Sequence, residues 1–185
     1  MKWLWSSKME NDFIVNNNFL TQQNFETIRN EITDTKFQWS FSQYVDHHEE
    51  DPTPGQFVHV VYHHHVPRSP FFNSLVPILE NKLDVSVLFR IKLNLQPRLP
   101  EPFKYSFHSD LDGDFEGVAS HWSTAILFIN TNNGYTEFEN GEKVESVANR
   151  VVMFPSNFKH RGITQTDEQT RILINFNYLK RKTRD

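Results

Sequence analysis

Hydrophobic residues recur at helical spacing in the first part of the chain and at strand spacing in the rest, with the change near residue 84. Phe25, Ile28 and Ile32 would share one face of an amphipathic helix. Thr21 precedes them with a side chain suited to capping the helix start. The pattern therefore predicts helices first and a β-rich core afterwards.

A second helix is expected to begin at Ser69 and Pro70, because a capping residue followed by proline favours the first helical turn. It would run toward Leu83, with a break near Pro77, since proline removes a helical hydrogen bond. Both helices would then pack against one side of the later strands.

Four later segments are rich in β-branched and aromatic residues, and this composition predicts strands. They are residues 85–95, 124–129, 151–155 and 172–178. The pair Asn140-Gly141 predicts a two-residue type I′ hairpin turn between two shorter strands. The economical fold is α+β but mainly β: an antiparallel barrel or sandwich with the helices packed on one sheet.

Composition limits the range of functions. The chain has 185 residues, enough for one domain with its own core. It has no cysteine, which excludes disulfides, thiolate metal sites and cysteine nucleophiles, so any metal must be bound by histidine and carboxylate. A formal net charge of −4 disfavours nucleic acid as a partner. No apolar run reaches membrane-spanning length, so we expect a cytoplasmic protein without a membrane partner.

The sequence His108-Ser109-Asp110, followed later by His160 and Arg171, carries the candidate chemistry. Two imidazoles and one carboxylate can occupy one face of an Fe(II) ion and leave three positions open. Arg171 adds a planar, permanently charged group that suits a carboxylate. Because these residues border predicted strands, a rigid scaffold would hold them. Together they indicate an enzyme that binds Fe(II) and a keto acid and activates O2.

Two other histidine clusters fit a metal site less well. His47-His48-Glu49-Glu50 contains the same short motif, but it lies in a charged, turn-rich segment typical of a solvated loop. His63, His64 and His65 are consecutive, and neighbouring residues of a strand point to opposite faces. We expect neither cluster to hold the catalytic metal.

Three segments resemble the prolyl-4-hydroxylase-like 2-oxoglutarate/Fe(II) dioxygenases. Residues 104–110, KYSFHSD, resemble the segment with the first two iron ligands. Residues 133–138, NGYTEF, resemble the family's Gly-Gly-x-Thr-x-Phe segment. The block RVVMFP before His160, with RIL from Arg171 onward, resembles the closing part of the motif.

This resemblance covers roughly residues 85–179 and implies a double-stranded β-helix, or jelly-roll, core. The chain length and the absence of a composition shift predict a single domain over residues 1–185. Within that domain we expect helical support over about 1–84, the jelly roll over about 85–179 and a basic tail over 180–185.

The resemblance further implies a role for each motif residue. His108, Asp110 and His160 would bind Fe(II), and Arg171 would bind the C5 carboxylate of 2-oxoglutarate. With O2, and with ascorbate as an optional reductant, the enzyme would hydroxylate a substrate C–H bond and release succinate and CO2. Iron binding should weaken at low pH, because the imidazoles must be neutral and the carboxylate ionised.

The second contact to the co-substrate is left open. Many relatives place a tyrosine where Phe128 stands, and Phe128 cannot donate a hydrogen bond. Asn94 is one candidate for the missing donor, with a solvent-facing strand residue as the alternative. Tyr105 matches an aromatic residue of the family motif, although a plain core tyrosine would look the same. Asn175 shares a strand face with Arg171 and would line the pocket.

The substrate is open among a protein side chain, an amino acid and a small metabolite. We expect loops over residues 96–107, 111–121 and part of 43–70 to contact it. The same scaffold could also serve a cupin-like metal-binding module without turnover, or a nucleic-acid demethylase. A protein that only binds a metal needs no buried cation, so Arg171 counts against the metal-binding module. The alternative role for Arg171 is a structural ion pair with a carboxylate such as Glu137. The net acidity counts against the demethylase.

Overall fold

The computed structural model of the chain describes residues 13–44, 53–111 and 118–181. The segment from His47 to Glu50 and most of the basic tail lie outside these residues. Within them the elements are, in order, β1 (Ile14–Asn16), α1 (Gln22–Thr33), β2 (Ser40–Ser42), β3 (Gln56–His63), β4 (Val66–Pro67), α2 (Phe72–Asn81), β5 (Val85–Pro97), a short 3-10 helix (Ala119–His121), β6 (Ser123–Phe128), β7 (Tyr135–Phe138), β8 (Lys143–Glu145), β9 (Val151–Pro155), β10 (His160–Ile163) and β11 (Thr170–Lys180).

The strands form two antiparallel sheets that pack against each other. The larger sheet has the strand order β1-β9-β6-β11-β5-β3-β2, with β4 paired to β3, and the smaller one has the order β10-β7-β8. Isolated bridges join Lys104 to Ile163 and His108 to His160. Residues 104–108 therefore extend the smaller sheet along the free side of β10.

Each face of the larger sheet has its own apolar core. The outer face packs against both helices through a cluster that includes Phe25, Leu75 and Ile174. A smaller cluster, with Phe128 and Phe138 among its members, fills part of the space between the two sheets. The predicted mainly β fold with helices on one sheet is confirmed.

Helix α1 confirms the predicted amphipathic pattern. Its buried residues are Phe25, Ile28 and Ile32, and Thr21 Oγ1 accepts a hydrogen bond from the Asn24 backbone amide at 3.3 Å. The cap satisfies one of the unpaired amides at the helix start.

Helix α2 differs from its prediction in two ways. It begins at Phe72 rather than at Pro70, because residues 69–71 form a tight turn before it. Pro77 lies inside the helix and does not end it. Leu75 and Ile78, on either side of the proline, are buried in the outer core. This packing offsets the helical hydrogen bond that proline cannot make.

In the described residues before position 85 there are four strands, where the sequence pattern indicated only helices and loops. The most important is β3, which pairs with β5 inside the larger sheet and occupies part of the interval expected to form a mouth loop. Its register shifts between Val60 and Tyr62. A bulge of this kind places one extra residue in the strand and interrupts the alternation that identifies strands in a sequence.

The hairpin between β7 and β8 forms where it was expected, but its turn is not type I′. Type I′ needs positive φ at both central residues. Gly141 has a φ of +88°, whereas Asn140 is not among the described residues with positive φ. The Gly141 amide donates to the Phe138 carbonyl, and the Phe138 amide donates to the Glu142 carbonyl, both at 2.9 Å. This is the longer three-residue loop with a glycine bulge.

None of the helices in the described ranges combines the length and the apolar character needed to cross a membrane.

Candidate metal centre and co-substrate pocket

Backbone pairing brings the two predicted histidine ligands together. The His108 amide donates to the His160 carbonyl at 3.0 Å, and the His160 amide donates back to His108 at 2.9 Å. Residues opposite each other in an antiparallel pair direct their side chains to the same face. Asp110 lies two residues beyond His108, so an extended chain places it on that face as well. The candidate ligand atoms of the three residues all lie within 4.8 Å of one another.

The histidine rings are oriented for metal binding through Nε2. The Nδ1 atoms of His108 and His160 lie 3.2 and 3.1 Å from the backbone carbonyls of Ser106 and Phe158. A protonated Nδ1 can donate to such a carbonyl, which leaves the Nε2 lone pair for a metal. With one carboxylate, this donor set fits the two-His-one-carboxylate site of non-haem Fe(II).

Asp110 is held by four side chains, three of which the sequence did not indicate. Its Oδ2 accepts hydrogen bonds from Thr124 Oγ1 at 2.8 Å, Asn175 Nδ2 at 3.1 Å and Asn177 Nδ2 at 3.2 Å. Its Oδ1 accepts one from Arg90 Nη2 at 3.2 Å. Asn175 is predicted to line the co-substrate pocket, and in the structure its amide also supports the metal ligand.

Electrostatics in the site favour the protonation states that a metal requires. Burial alone would raise the pKa of Asp110, but His160, Arg90 and His108, with the hydrogen bond from Asn175, bring it far below its usual range. Burial lowers the pKa of His160 to about 4, although Asp110 acts in the opposite direction. At neutral pH the carboxylate is therefore ionised and the His160 imidazole neutral.

Arg171 is buried on the inner face of β11, with 2% of its surface exposed. Its Nε donates to Ser146 Oγ at 2.8 Å, Nη1 to Gln96 Oε1 at 3.0 Å and Nη2 to Thr136 Oγ1 at 3.2 Å. Burial lowers the pKa of Arg171 to about 10, so the group is still cationic at neutral pH. No ion pair between described residues involves it.

Glu137, the carboxylate considered as a structural partner of Arg171, pairs elsewhere. It accepts hydrogen bonds from Arg161 Nε at 2.8 Å and Nη2 at 2.6 Å, and Lys143 Nζ lies 3.7 Å away. The hydrogen bond from Arg161 is the main cause of the lowered pKa of Glu137. Among the described residues, Arg171 therefore has no carboxylate partner, and a bound ligand could supply one.

A glycine lies beside Arg171 on the strand that begins with His160. Gly162 lies on the same face of β10 as His160. A Cβ atom at Gly162 would lie 3.6 Å from Arg171 Nη1 and 3.8 Å from Tyr105 Cδ2. Phe128 lies on another side of the guanidinium, whose central carbon is 5.6 Å from the ring centroid. A side chain at position 162 would therefore lie against the guanidinium of Arg171.

Tyr105 lies beside Gly162, and Asn94 lies on the same face of β5 as Gln96. Tyr105 is buried, with 1% of its surface exposed, and its charge interaction with Arg171 raises the arginine's pKa. Asn94 lies opposite Leu173, two pairs along from Gln96 and Arg171. Gln96 had been placed in a mouth loop, but it belongs to β5 and contacts Arg171 directly.

The triple-histidine segment does not form a metal site among the described residues, where His108, Asp110 and His160 are the group with suitable ligand spacing. The rings of His63 and His64 are tilted by 43° to each other, with centroids 4.0 Å apart. His64 and His65 both have positive φ, 51° and 62°. These two residues connect β3 to β4 as a tight turn.

Neither a protein-family model nor a curated protein matches the sequence. Solved structures do match. The non-haem α-ketoglutarate-dependent carbocyclase SnoK of nogalamycin biosynthesis superimposes with a TM-score of 0.69 at 12% identity, over 92% of this chain and 80% of that one. A prolyl-4-hydroxylase from Pseudomonas putida superimposes with a TM-score of 0.58 at 14% identity, over 93% of this chain and 94% of that one. HygX from Streptomyces hygroscopicus, with nickel and 2-oxoglutarate bound, superimposes with a TM-score of 0.59 at 13% identity, over 91% of this chain and 83% of that one.

At these identities the likeness establishes the fold. The chain has the double-stranded β-helix fold of the 2-oxoglutarate/Fe(II) oxygenases, prolyl-4-hydroxylases among them, as the sequence resemblance implied. A fold of this kind serves many reactions, so function has to be argued from the site.

Proposed function

We propose that the protein is a 2-oxoglutarate/Fe(II)-dependent dioxygenase that hydroxylates a C–H bond of its substrate and releases succinate and CO2. The observation that carries the proposal is the buried Arg171, which has no carboxylate partner among the described residues and lies beside Gly162, two residues along β10 from the metal ligand His160. 2-Oxoglutarate has a keto-acid end suited to the metal and a distal carboxylate suited to the arginine.

The three metal ligands supply the binding site of this proposed enzyme. His108, Asp110 and His160 would hold Fe(II), because their candidate ligand atoms all lie within 4.8 Å of one another. Fe(II), 2-oxoglutarate and O2 supply the oxidising chemistry when bound, with ascorbate as an optional reductant. Thr124 and Asn175 restrain the Asp110 carboxylate, which preserves the ligand geometry.

The co-substrate is proposed to lie between the metal and Arg171. A cation as deeply buried as Arg171 is costly without an anion, so a carboxylate ligand relieves that cost. Tyr105 and Asn94 line the sides of the pocket, and Asn175 lies at its metal end. A module that only bound a metal would gain nothing from the buried arginine.

The substrate is proposed to be a protein side chain, an amino acid or a small metabolite. The structural neighbours do not narrow this choice, because they include a carbocyclase, an epimerase and a prolyl hydroxylase in complex with a peptide fragment. The proposal keeps the cytoplasmic location expected from the sequence, without nucleic acid as a partner, in line with the net charge of −4.

Anaerobic spectroscopy tests the proposal directly. Protein loaded with Fe(II) should develop a weak metal-to-ligand charge-transfer absorption band when 2-oxoglutarate is added. Under air, with ascorbate, it should then form succinate slowly without added substrate. His108→Ala is the matched control and should show neither signal. Wild-type protein that binds Fe(II) but shows no band and no succinate would favour the metal-binding module instead.

A further inference from the structure

We propose that Gln96 donates the second hydrogen bond to the distal carboxylate of the co-substrate, beside Arg171. It would thereby replace the hydroxyl that Phe128 cannot provide. This inference rests on the proposed binding of 2-oxoglutarate and names a further residue of the same pocket.

Strand pairing places Gln96 at the carboxylate end of the pocket. It lies near the end of β5, directly opposite Arg171 of β11. Directly paired residues of neighbouring strands direct their side chains to the same face, within reach of each other. Gln96 is 4% exposed, so its amide lies inside the cavity wall rather than in bulk water.

The orientation of the Gln96 amide follows from the chemistry of arginine. Gln96 Oε1 lies 3.0 Å from Arg171 Nη1. Arginine can only donate hydrogen bonds, so the carbonyl end of the amide must face it. The NH2 end then points away from Arg171. None of the hydrogen bonds between described residues uses Gln96 Nε2, which leaves this donor for a ligand.

The free donors of Gln96 and Arg171 border the same space. A Cβ atom at Gly162 would lie 3.6 Å from Arg171 Nη1 and 3.7 Å from Gln96 Nε2. Arg171 uses its contacts to Ser146, Gln96 and Thr136 for three of the five N–H groups of a guanidinium. Two N–H groups of the arginine and the amide of Gln96 thus remain for a carboxylate above Gly162.

Asn94 is less well placed for this role. It is two residues before Gln96 on β5, opposite Leu173 rather than Arg171. An asparagine side chain is also one methylene shorter than a glutamine. Its position therefore suits the middle of the co-substrate, and Gln96 suits the far carboxylate.

Paired titrations with two keto acids test the inference. Anaerobic Fe(II) protein is titrated with 2-oxoglutarate and with 2-oxopentanoate, which lacks the distal carboxylate, and the charge-transfer band reports binding. Gln96→Leu should weaken 2-oxoglutarate binding by about 10- to 100-fold, the size of one hydrogen bond to a charged group. Its affinity for 2-oxopentanoate should not change. Iron stoichiometry and the melting temperature verify that the variant is folded.

Gln96→Glu separates donation to the ligand from support of Arg171. Glutamate keeps an acceptor for the arginine but removes the donor, so 2-oxoglutarate binding should weaken at least as much as in Gln96→Leu. Wild-type affinity in Gln96→Glu, with weak binding in Gln96→Leu, would show that Gln96 only positions the arginine and would overturn the inference. Unchanged affinity in both variants would overturn it as well.

Gly162→Ala is an independent test that does not alter the amide. The added methyl group would make ordinary contacts of 3.6–3.8 Å with its neighbours, so the fold should persist. It would nevertheless cover the two donors, and 2-oxoglutarate should lose affinity while 2-oxopentanoate keeps it. Normal 2-oxoglutarate binding by Gly162→Ala would contradict the placement. If wild-type protein shows no preference for 2-oxoglutarate over 2-oxopentanoate, the proposed function fails together with the inference.

Discussion

The two faces of strand β11 have opposite roles although their residues alternate along one backbone. The outward residues lie in the core beneath the helices: Ile172, Ile174, Phe176 and Tyr178. Arg171, Asn175 and Asn177 point inward to the cavity, with Leu173 between them in the smaller core. The outward face gains free energy by leaving water, whereas the inward face must offset the cost of burying polar groups.

The inward face meets this cost through specific partners. Asn177 Nδ2 donates to Asp110 at 3.2 Å and to Thr124 at 3.0 Å. Asn175 donates to the same carboxylate. Arg171 has only neutral partners among the described residues, so part of its cost is left for a ligand to offset. The outward face should therefore determine stability, and the inward face should determine binding.

Removal of a metal ligand should have the largest effect. Asp110→Ala should abolish Fe(II) binding, because two imidazoles alone lack the charge and geometry of the site. Metal content after anaerobic loading gives the measurement. Ser109→Ala, a change between the two ligands, is the control and should bind iron like wild type. A folded Asp110→Ala protein with full iron content would show that the ligands lie elsewhere.

A change on the outward face should affect stability and not binding. Phe176→Ala deletes a fully buried ring from the outer core and should lower the free energy of unfolding by about 3–5 kcal/mol. Urea denaturation measures this loss. Iron affinity of the folded protein should be close to wild type. If iron affinity fell while stability did not, the division between the two faces would be wrong.

Arg171→Leu makes the reverse test on the inward face. It should weaken 2-oxoglutarate binding by about 2–5 kcal/mol, the range for truncating one partner of a buried charge pair. Iron content and the melting temperature should be retained, because Arg171 is in no ion pair with a described residue. Unchanged 2-oxoglutarate affinity together with a lower melting temperature would make Arg171 a structural residue.

Acid should destabilise the metal-free protein through His160. Its pKa is lowered from 6.5 to about 4, so the unfolded chain binds the proton first as the pH falls. The contribution of neutral His160 to the free energy of unfolding is full above about pH 6.5 and is lost progressively as the pH falls toward 4. The slope is at most about 1.4 kcal/mol per pH unit for one group. Urea denaturation across this range should show the loss, and His160→Asn should flatten it.

The candidate metal ligands could be predicted from the sequence because most of the signals that identify them are local. His108 and Asp110 are two residues apart, so any extended backbone places them on one face. His160 and Arg171 follow or open segments whose composition identifies them as strands. The ordered set of motifs then pointed to one fold, which the structural neighbours confirm.

Other contacts depended on long-range register, which residue spacing does not reveal. Gln96 faces Arg171 and Arg90 faces Asn177 because β5 and β11 pair in one continuous register from Thr170 to Asn177. The alternation of polar residues along β5 was visible in the sequence. Whether that face met water or a cavity could be decided only by the second sheet. The bulge in β3 hid that strand for a different reason, because it interrupts the alternation by which a strand is identified in a sequence.

The smallest expected effect concerns the two tight turns, at residues 64–65 and 140–141. Their comparison also shows that a local turn motif does not by itself determine the turn type. Asn140-Gly141 has the sequence of a type I′ turn but forms a bulged three-residue loop, whereas His64 and His65 carry the positive φ angles that a type I′ turn needs. Histidine tolerates this conformation better than most residues, although asparagine and glycine suit it better still.

Replacing the histidines of this turn should therefore favour folding slightly and leave the metal centre unchanged. His64→Asn with His65→Gly should raise the free energy of unfolding by about 0.5–1 kcal/mol, since glycine removes the strain of a left-handed conformation. Fe(II) content should equal that of wild type, because the turn residues are not among the ligands. Loss of iron without loss of fold, verified by circular dichroism, would make these histidines part of the metal site and overturn the assignment. Unaltered iron with unaltered or slightly higher stability would identify the cluster as a hairpin turn whose histidines serve its backbone geometry.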